Sequence, residues 1–277
     1  MLLSRVTIGG MNKRNVVKTV AAHGAAVGAM NMITTVFLHR GETHGAIEVK
    51  RPVREVARFG TWLLSGMKPR EWVGVHLAHH ADEDGPSDPH SPAQNGRFGV
   101  LKVGIGNGLY YYRQKAKTLT PADYPEHLQP DWKDKLLYDR GLVGQAAMFG
   151  LYRWLHKGDN KKAAASLLVH DGLMLAGGAF VNSWLHRGQN DGVCALVEEP
   201  VPDANGDFTR NSNILGDLAT FGEGEHYNHH DDQSSLRFHE SNVRDLGGFV
   251  AEELIRVGLA DPGTGPRPRG QEIPTGS

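Results

Sequence analysis

The stretch REWVGVHLAHH, residues 70–80, holds three histidines in the spacing HxxHH. A helix advances about 100° per residue, so positions i, i+3 and i+4 lie on one face. In a helix, His76, His79 and His80 would therefore present three imidazoles along one stripe. This spacing suits metal ligation far better than it suits packing in an apolar core. The stretch predicts a helix that carries metal ligands.

Three further clusters extend the pattern, and together the four hold nine of the fifteen histidines. They read HRGETH (His39, His44), NSWLH (Asn182, His186) and EHYNHH (His226, His229, His230). The last repeats the HxxHH spacing, and the asparagine and histidine of NSWLH share a helical face. The two histidines of HRGETH are five apart, so in a helix they would point about 140° from each other. That pair requires a helix end, or two different metals.

Nine imidazoles are too many for one ion, because a mononuclear site rarely uses more than four protein ligands. Neutral imidazole binds Fe, Zn, Cu and Ni well. Two ions sharing nine nitrogens is the economical interpretation, and a dinuclear iron centre fits best among redox metals. The other histidines occur singly, and we predict that they are ordinary exposed or hydrogen-bonded side chains: His23, His90, His127, His156, His170 and His239.

From about residue 36 to 260, the chain resembles the membrane fatty acid desaturase family, and within it the acyl-CoA desaturases of the Δ9 or stearoyl-CoA type. Besides the histidine clusters, the similar stretches occur in the expected order: DPHSP (88–92), YYYRQ (110–114), LTPADYPEHL (119–128), DWKDKLLYDR (131–140) and TRNSNILGDLATFGEGEHYNHH (209–230). The resemblance implies an all-α fold, a helical bundle with a cytosolic helical cap that holds a di-iron site. It implies that Asn182 reaches one iron through a water. The implied histidine ligands are His39, His44, His76, His79, His80, His186, His226, His229 and His230.

Four positions depart from the family pattern without removing a ligand: Gly45, Leu77, Glu225 and Tyr227. They lie beside the histidines, where outer residues orient the imidazoles and set their basicity. An all-nitrogen ligand set also brings no negative charge, so nearby carboxylates are expected to tune it. The candidates for that role are Glu42, Glu48, Asp82, Glu223, Glu225 and Asp231.

The resemblance implies an oxidoreductase that uses O2 to remove two hydrogens from adjacent methylenes of an acyl-CoA or acyl-lipid, giving a cis double bond. The sequence shows no cytochrome b5 motif, Gly-rich dinucleotide fingerprint or cysteine-ligated centre, so a separate reductase with a cytochrome b5 or ferredoxin-type carrier is implied. A related di-iron hydroxylase could share the clusters. A non-catalytic metal-binding relative is the third hypothesis.

Composition limits the other function classes. The formal net charge is −1, and basic residues are dispersed among equal numbers of acids, so a nucleic-acid partner is not expected. The single cysteine, Cys194, excludes an internal disulfide. The length suits one domain, predicted over 1–260, and the Pro and Gly content of 261–277 predicts a disordered tail.

Hydrophobic periodicity predicts that the chain is mostly helical. The predicted helices are 15–38, 52–67, 69–82, 131–155, 163–186 and 242–259, with a surface loop over 198–213. The stripe Val56, Phe59, Trp62 and Leu63 would lie flat on a membrane or pack on the core.

The resemblance favours an integral membrane protein with its site on the cytoplasmic side. The candidate spans are poor, however: 15–38, 141–155 and 163–181 each carry polar residues, and mean hydropathy is −0.40. The basic loop 156–162 would also lie on the non-cytoplasmic side, against the usual charge bias. A soluble or peripheral protein is the alternative.

Overall fold

A computed structural model describes residues 7–8, 11–88, 91–106, 110–186, 196, 201–202 and 208–265. Within these residues the chain is mostly helical, and its strands form three two-stranded antiparallel sheets. The all-α prediction is therefore confirmed. His90, Cys194, half of the predicted loop 198–213 and most of the predicted tail 261–277 lie outside the described residues. The single-domain organisation stays a prediction.

The described part of the chain contains ten α-helices. They are α1 Lys13–Met32, α2 Arg51–Ser65, α3 Pro69–His80, α4 Gly99–Gly106, α5 Tyr112–Ala116, α6 Gly141–Leu155, α7 Asn160–Ala179, α8 Ile214–Thr220, α9 His226–Asp231 and α10 Leu246–Arg256. Short 3-10 turns cover Ala93–Phe98, Pro121–Asp123 and Glu126–Leu128. The strands are β1 Thr7–Ile8, β2 Met11–Asn12, β3 Ile47–Val49, β4 Val201–Pro202, β5 Phe208–Thr209 and β6 Ala260–Pro262.

Local chemistry sets the bounds of α2 and α3 close to those predicted. Each has a proline in its first turn, Pro52 and Pro69, where the missing N–H costs nothing. Gly66 ends α2 with φ +64°, a left-handed conformation that glycine adopts without strain. The predicted helix 131–155, by contrast, is interrupted after the π-helix Asp134–Tyr138, and α6 starts afresh at Gly141.

Two helices end in π-helical segments, in which each N–H bonds to the carbonyl five residues earlier. Ile33–Thr43 continues α1, and Phe180–Trp184 continues α7. The N–H of His44 bonds to the carbonyl of His39 at 3.1 Å, which continues this pattern past the segment's end. Both π-segments lead directly into histidine clusters.

Helices α1, α6 and α7 pack against one another, and α2 crosses α6. Two continuous helices, Ala21–Thr43 and Asn160–Trp184, are long and apolar enough to cross a membrane, which is consistent with membrane association. The third predicted span, α6, has 15 residues and a length of about 22 Å, short of the ~30 Å hydrocarbon thickness.

The α2–α6 contact depends on glycine. A Cβ at Gly144 would lie 2.2 Å from the backbone oxygen of Trp62, whereas a Cβ at Gly150 on the same helix would meet nothing within 4 Å. The apolar stripe predicted on α2 is therefore buried only in part. Trp62 is buried here and donates to the carbonyl of Arg140 at 3.1 Å, whereas Val56 is 71% exposed.

Gly144→Ala is expected to destabilise the protein by about 1–3 kcal/mol, because the added methyl group cannot be accommodated without moving the α2 backbone. The matched change Gly150→Ala should stabilise by about 0.5–1 kcal/mol through helix propensity. Thermal unfolding of the two variants, followed by circular dichroism, checks the pair. Equal melting temperatures would contradict the packing described.

The largest buried apolar cluster lies beneath the first histidine cluster and joins α1, its π-segment, β3 and α10; its buried members are Met30, Val36, Phe37, Leu38, Ile47, Val49, Ala57, Ala251 and Ala260. Strand β6 closes it by pairing with β3 in the register Val49–Ala260, Ile47–Pro262. The first residues of the predicted tail therefore have defined contacts: Asp261 and Pro262 pair with β3, and the N–H groups of Gly263 and Gly265 bond to the carbonyls of Ala46 and Gly45.

Candidate metal centre

The structure brings the nine clustered histidines into two adjacent groups. Within each group, one ligand atom from every residue lies within 4.8 Å of the others. Group one is His39, His44, His76, His80 and His229. Group two is His79, His186, His226 and His230. The groups adjoin, since the rings of His80 and His230 are 4.5 Å apart.

The π-helix explains how two histidines five residues apart share one group. In an α-helix His39 and His44 would diverge, but the wider turn of the π-segment returns its chain to the same side after five residues. Their ring centroids are 4.9 Å apart. The pair therefore meets at a helix end, because His44 directly follows the π-segment, and both histidines belong to one group.

Each HxxHH triplet divides between the groups. His76 and His80, four apart on α3, belong to group one, and His79 belongs to group two. On α9 the assignment is reversed, because His226 and His230 belong to group two and His229 to group one. The stripe of three imidazoles is wide enough to face both groups. Each of the two helices, α3 and α9, therefore contributes histidines to group one and to group two.

The separations between ring nitrogens fit metal ligation at right angles. In group one, Nε2 of His229 lies 2.9 Å from Nε2 of His39 and 3.0 Å from that of His80. In group two, Nε2 of His230 and His226 are 3.1 Å apart. With metal–nitrogen bonds of about 2.0–2.1 Å, two ligands at 90° would lie about 2.9 Å apart and two at the tetrahedral angle about 3.4 Å apart. The Nε2 atoms of His186 and His226 are closer still, at 2.6 Å. The nitrogens of each group are therefore near enough to bind one shared ion.

Burial keeps several of these imidazoles neutral, the form that binds metal. Desolvation, followed by the charges of neighbouring histidines, holds the pKa of His80, His229 and His230 well below the ordinary value. The Nε2 atom of His44 is buried without a hydrogen-bond partner among the described residues. A buried nitrogen acceptor that nothing satisfies is costly, and a metal ion would satisfy it.

Carboxylates contact the outer nitrogens of four of the histidines. The Nδ1 atoms lie at hydrogen-bond distance from Glu223 (His39, 2.5 Å), Asp88 (His79, 2.7 Å), Asp84 (His186, 2.9 Å) and Glu83 (His230, 2.6 Å). A carboxylate on Nδ1 fixes the tautomer and leaves Nε2 for the metal. For His186, burial lowers the pKa, but the carboxylates of Asp84, Glu83 and Asp88 together outweigh burial and raise it to about 9. A metal at its Nε2 would displace the second proton.

Sequence reasoning found one of these carboxylates and missed three. Glu223 was among the candidates, but Glu83, Asp84 and Asp88 were not. Their signal was an acidic loop, ADEDGPSD (81–88), directly after the last histidine of α3. The candidate from that loop, Asp82, instead accepts from the backbone N–H of Ser87 at 2.7 Å.

The remaining candidate carboxylates have other surroundings. Glu42 pairs with Arg54 at 2.9 Å, and Glu225 pairs with Arg244 at 2.7 Å. Glu48 and Asp231 are exposed. Glu225, which departs from the family pattern, is thus a buried residue whose carboxylate forms a salt bridge.

A buried arginine contacts the carboxylate that lies beside His39 of group one. Arg40 is fully buried and donates to Asp245 at 2.8 Å and to Glu223 at 3.0 Å. Its guanidinium also lies 3.6 Å over the ring of Phe238. Because Glu223 contacts His39, this network ties a ligand-bearing helix to the start of α10.

A cavity of about 140 Å³ opens between α1, α3 and α7 against both groups. His76 of group one and His226 of group two line it, and so does Asn182. Trp72 lines it too and stacks on His76 with ring centroids 4.8 Å apart. The other lining residues are Asn31, Thr34, Val75, Tyr112, Gly177, Gly178, Val181, Thr220 and Glu223.

The other residues singled out in the sequence lie away from the centre. Leu77 packs against the cluster of Val73, Tyr124 and Leu128, and Gly45 has φ +63°. In neither group are the described histidines that occur singly: His23, His127, His156, His170 and His239. Their separation agrees with the prediction for these five.

Comparison with known proteins agrees with this geometry. The profile of the family described as fatty acid desaturase matches residues 18–241. A curated relative, the icosanoyl-CoA 5-desaturase of Limnanthes douglasii, is 26% identical over 244 residues, which cover 86% of this chain. The chain spans 62% of the length of that relative. The chain belongs to the fatty acid desaturase family.

Proposed function

We propose that this protein is an O2-dependent fatty acyl desaturase with a nine-histidine di-iron centre. Groups one and two each hold one iron, and Asn182 reaches one of them through a water. The observation that carries the proposal is a pair of fused histidine groups opening on one largely apolar cavity. Family membership supports action on fatty acids.

Two irons at this centre would supply O2 activation and the removal of two hydrogens from adjacent methylenes. The protein residues position that reaction. A cavity of about 140 Å³ takes a benzene-sized group, so it accommodates a short segment of an acyl chain. Val75, Val181 and Trp72 present apolar surface to the methylenes. His76 and His226, one from each group, line this cavity, so an acyl segment bound there would lie beside both proposed iron positions.

The substrate is an acyl-CoA or an acyl-lipid, and a relative named for an acyl-CoA supports the former. The Δ9 position implied by the sequence stays a prediction, since that relative is named a 5-desaturase. Electrons come from a separate reductase with a cytochrome b5 or ferredoxin-type carrier. The overall reaction would consume one O2, two electrons from this carrier, two protons and two substrate hydrogens, and would release two waters.

We further propose that the protein is integral to a membrane, with the metal centre on the cytoplasmic side. The helices Ala21–Thr43 and Asn160–Trp184 are the spans. On α7 several large apolar side chains face outward, such as Leu168, which is 74% exposed. Lipid would cover them.

The activity test incubates the membrane-extracted protein with iron, reductase, electron carrier, O2 and a panel of acyl-CoAs, and analyses the products by mass spectrometry. A product lighter than its substrate by two hydrogens supports desaturation. A product heavier by one oxygen would replace the proposal with a di-iron hydroxylase. Bound iron with no product and no reductant consumption would favour the non-catalytic relative.

Filling the cavity should slow the reaction without removing metal. A Cβ at Gly177 meets nothing within 4 Å, so Gly177→Leu would place its side chain in the cavity without a backbone clash. We expect kcat/KM to fall at least about tenfold, the effect of a misfit of one or two methylenes, with unchanged iron content. Gly172→Leu, at an exposed position of the same helix, is the control and should behave as wild type. Equal rates would show that the substrate lies elsewhere.

A further inference from the structure

The two histidine groups have different electrostatic surroundings. Group two is contacted by three carboxylates from the loop after α3. Asp88 lies 2.7 Å from His79, Asp84 lies 2.9 Å from His186, and Glu83 lies 2.6 Å from His230. Each contact is made at Nδ1, so each carboxylate increases the basicity of the ring that would bind metal.

Group one is contacted by a carboxylate whose charge is shared. Glu223 lies 2.5 Å from Nδ1 of His39, but its other oxygen accepts from Arg40 at 3.0 Å. The guanidinium is fully buried, so water does not screen it. The positive charge of Arg40 therefore offsets the negative charge that Glu223 brings to this group.

Charge near a metal controls how firmly it is held, because a cation is stabilised by ligands of higher basicity and by nearby anions. Group one has more nitrogen donors, five imidazoles, but its carboxylate is compensated by Arg40, so its surroundings are less negative. Four imidazoles with three carboxylates make the more negative one. In group two, the negative charge of the acidic loop thus compensates for having four imidazoles instead of five.

We infer that the two iron positions are inequivalent and that group two holds its iron more firmly, so that it loads first and releases last. This inference rests on the proposed di-iron function. Glu83 has the largest part in the difference, because its carboxylate contacts His230 and also lies 3.9 Å from Nδ1 of His186. A hydrogen bond from Thr209 at 2.9 Å helps to fix the orientation of the Glu83 carboxylate.

The test follows release of iron from the reduced, fully loaded protein to the ferrous chelator ferrozine by absorbance. Wild type should release its iron in two equal phases whose rates differ at least about tenfold. His44→Ala, which removes a ligand of group one, should retain about one iron that leaves at the slow rate. Glu83→Gln should accelerate the slow phase about tenfold and leave the fast phase unchanged.

The matched control is Asp82→Asn, which removes a charge from the same loop at a side chain bonded to Ser87 instead of an imidazole. Both phases should remain as in wild type. Release of two irons in one phase, or acceleration of only the fast phase by Glu83→Gln, would overturn the inference and leave the proposed function standing. A wild-type protein that binds no iron would overturn both.

Discussion

Replacing either His79 or His229 with alanine should lower the iron content of the purified protein toward one ion per chain or none, and should abolish product formation. The two residues lie in different groups, and each is about 1% exposed. Nε2 of His229 lies about 3 Å from two partners of its own group. Removing the His229 imidazole would take one ligand from group one and leave a buried void lined by the nitrogens of the other histidines. Elemental analysis together with product analysis measures both effects.

His127→Ala is the control for this pair. The imidazole of His127 lies 3.0 Å from Glu42 and belongs to neither histidine group, so iron content should match wild type. Equal metal content in all three variants would show that the ligands have been assigned wrongly.

Arg40→Met should produce the largest loss of stability, about 3–5 kcal/mol, because it leaves the Asp245 and Glu223 carboxylates without their buried cation. Methionine fills similar space, so the loss reports the charge and not a cavity. The carboxyl of Asp245 also accepts from the backbone N–H of Gly248 and Phe238, and therefore cannot turn away to find another partner. Thermal unfolding of the purified protein in detergent measures the change.

The matched control is Arg256→Met, at a pair with Glu253 in which the arginine is 70% exposed. Its melting temperature should match that of wild type, because water screens this exposed pair. Adding Asp245→Asn to Arg40→Met should cost less than the sum of the two single changes, because the two side chains interact directly. Additive losses, or equal losses from the two arginine variants, would contradict the network.

Helix positions could be predicted well where the determinants are local. The bounds of α2 and α3 follow from Pro52, Pro69 and Gly66, whose backbone preferences apply in any surroundings. The nine histidines could be selected from fifteen because their spacing is local too. Their role as iron ligands stays a prediction.

The π-segments could not be predicted in this way. Nothing in HRGETH distinguishes an i+5 hydrogen bond from an i+4 bond, since the choice depends on contacts made far along the chain. Thr35 and Arg40 of this segment meet Glu223, which lies about 180 residues later. For the same reason, the division of each HxxHH triplet between two groups depends on how α3 and α9 face each other.

The acidic loop after α3 was missed because its backbone, and not its composition, decides which carboxylate reaches an imidazole. Asp84 has φ +52°, a left-handed conformation that aspartate adopts more readily than most residues. Its side chain contacts His186, about 100 residues away, whereas Asp82 bonds within the loop. Sequence alone offers four acids in this loop with no means of choosing among them.

The metal content of freshly purified, membrane-extracted protein tests the central claim most directly. Elemental analysis should find close to two irons per chain, with little zinc. One tetrahedrally bound zinc, or no bound metal in protein that is folded by circular dichroism, would contradict the assignment of the two histidine groups as a di-iron centre.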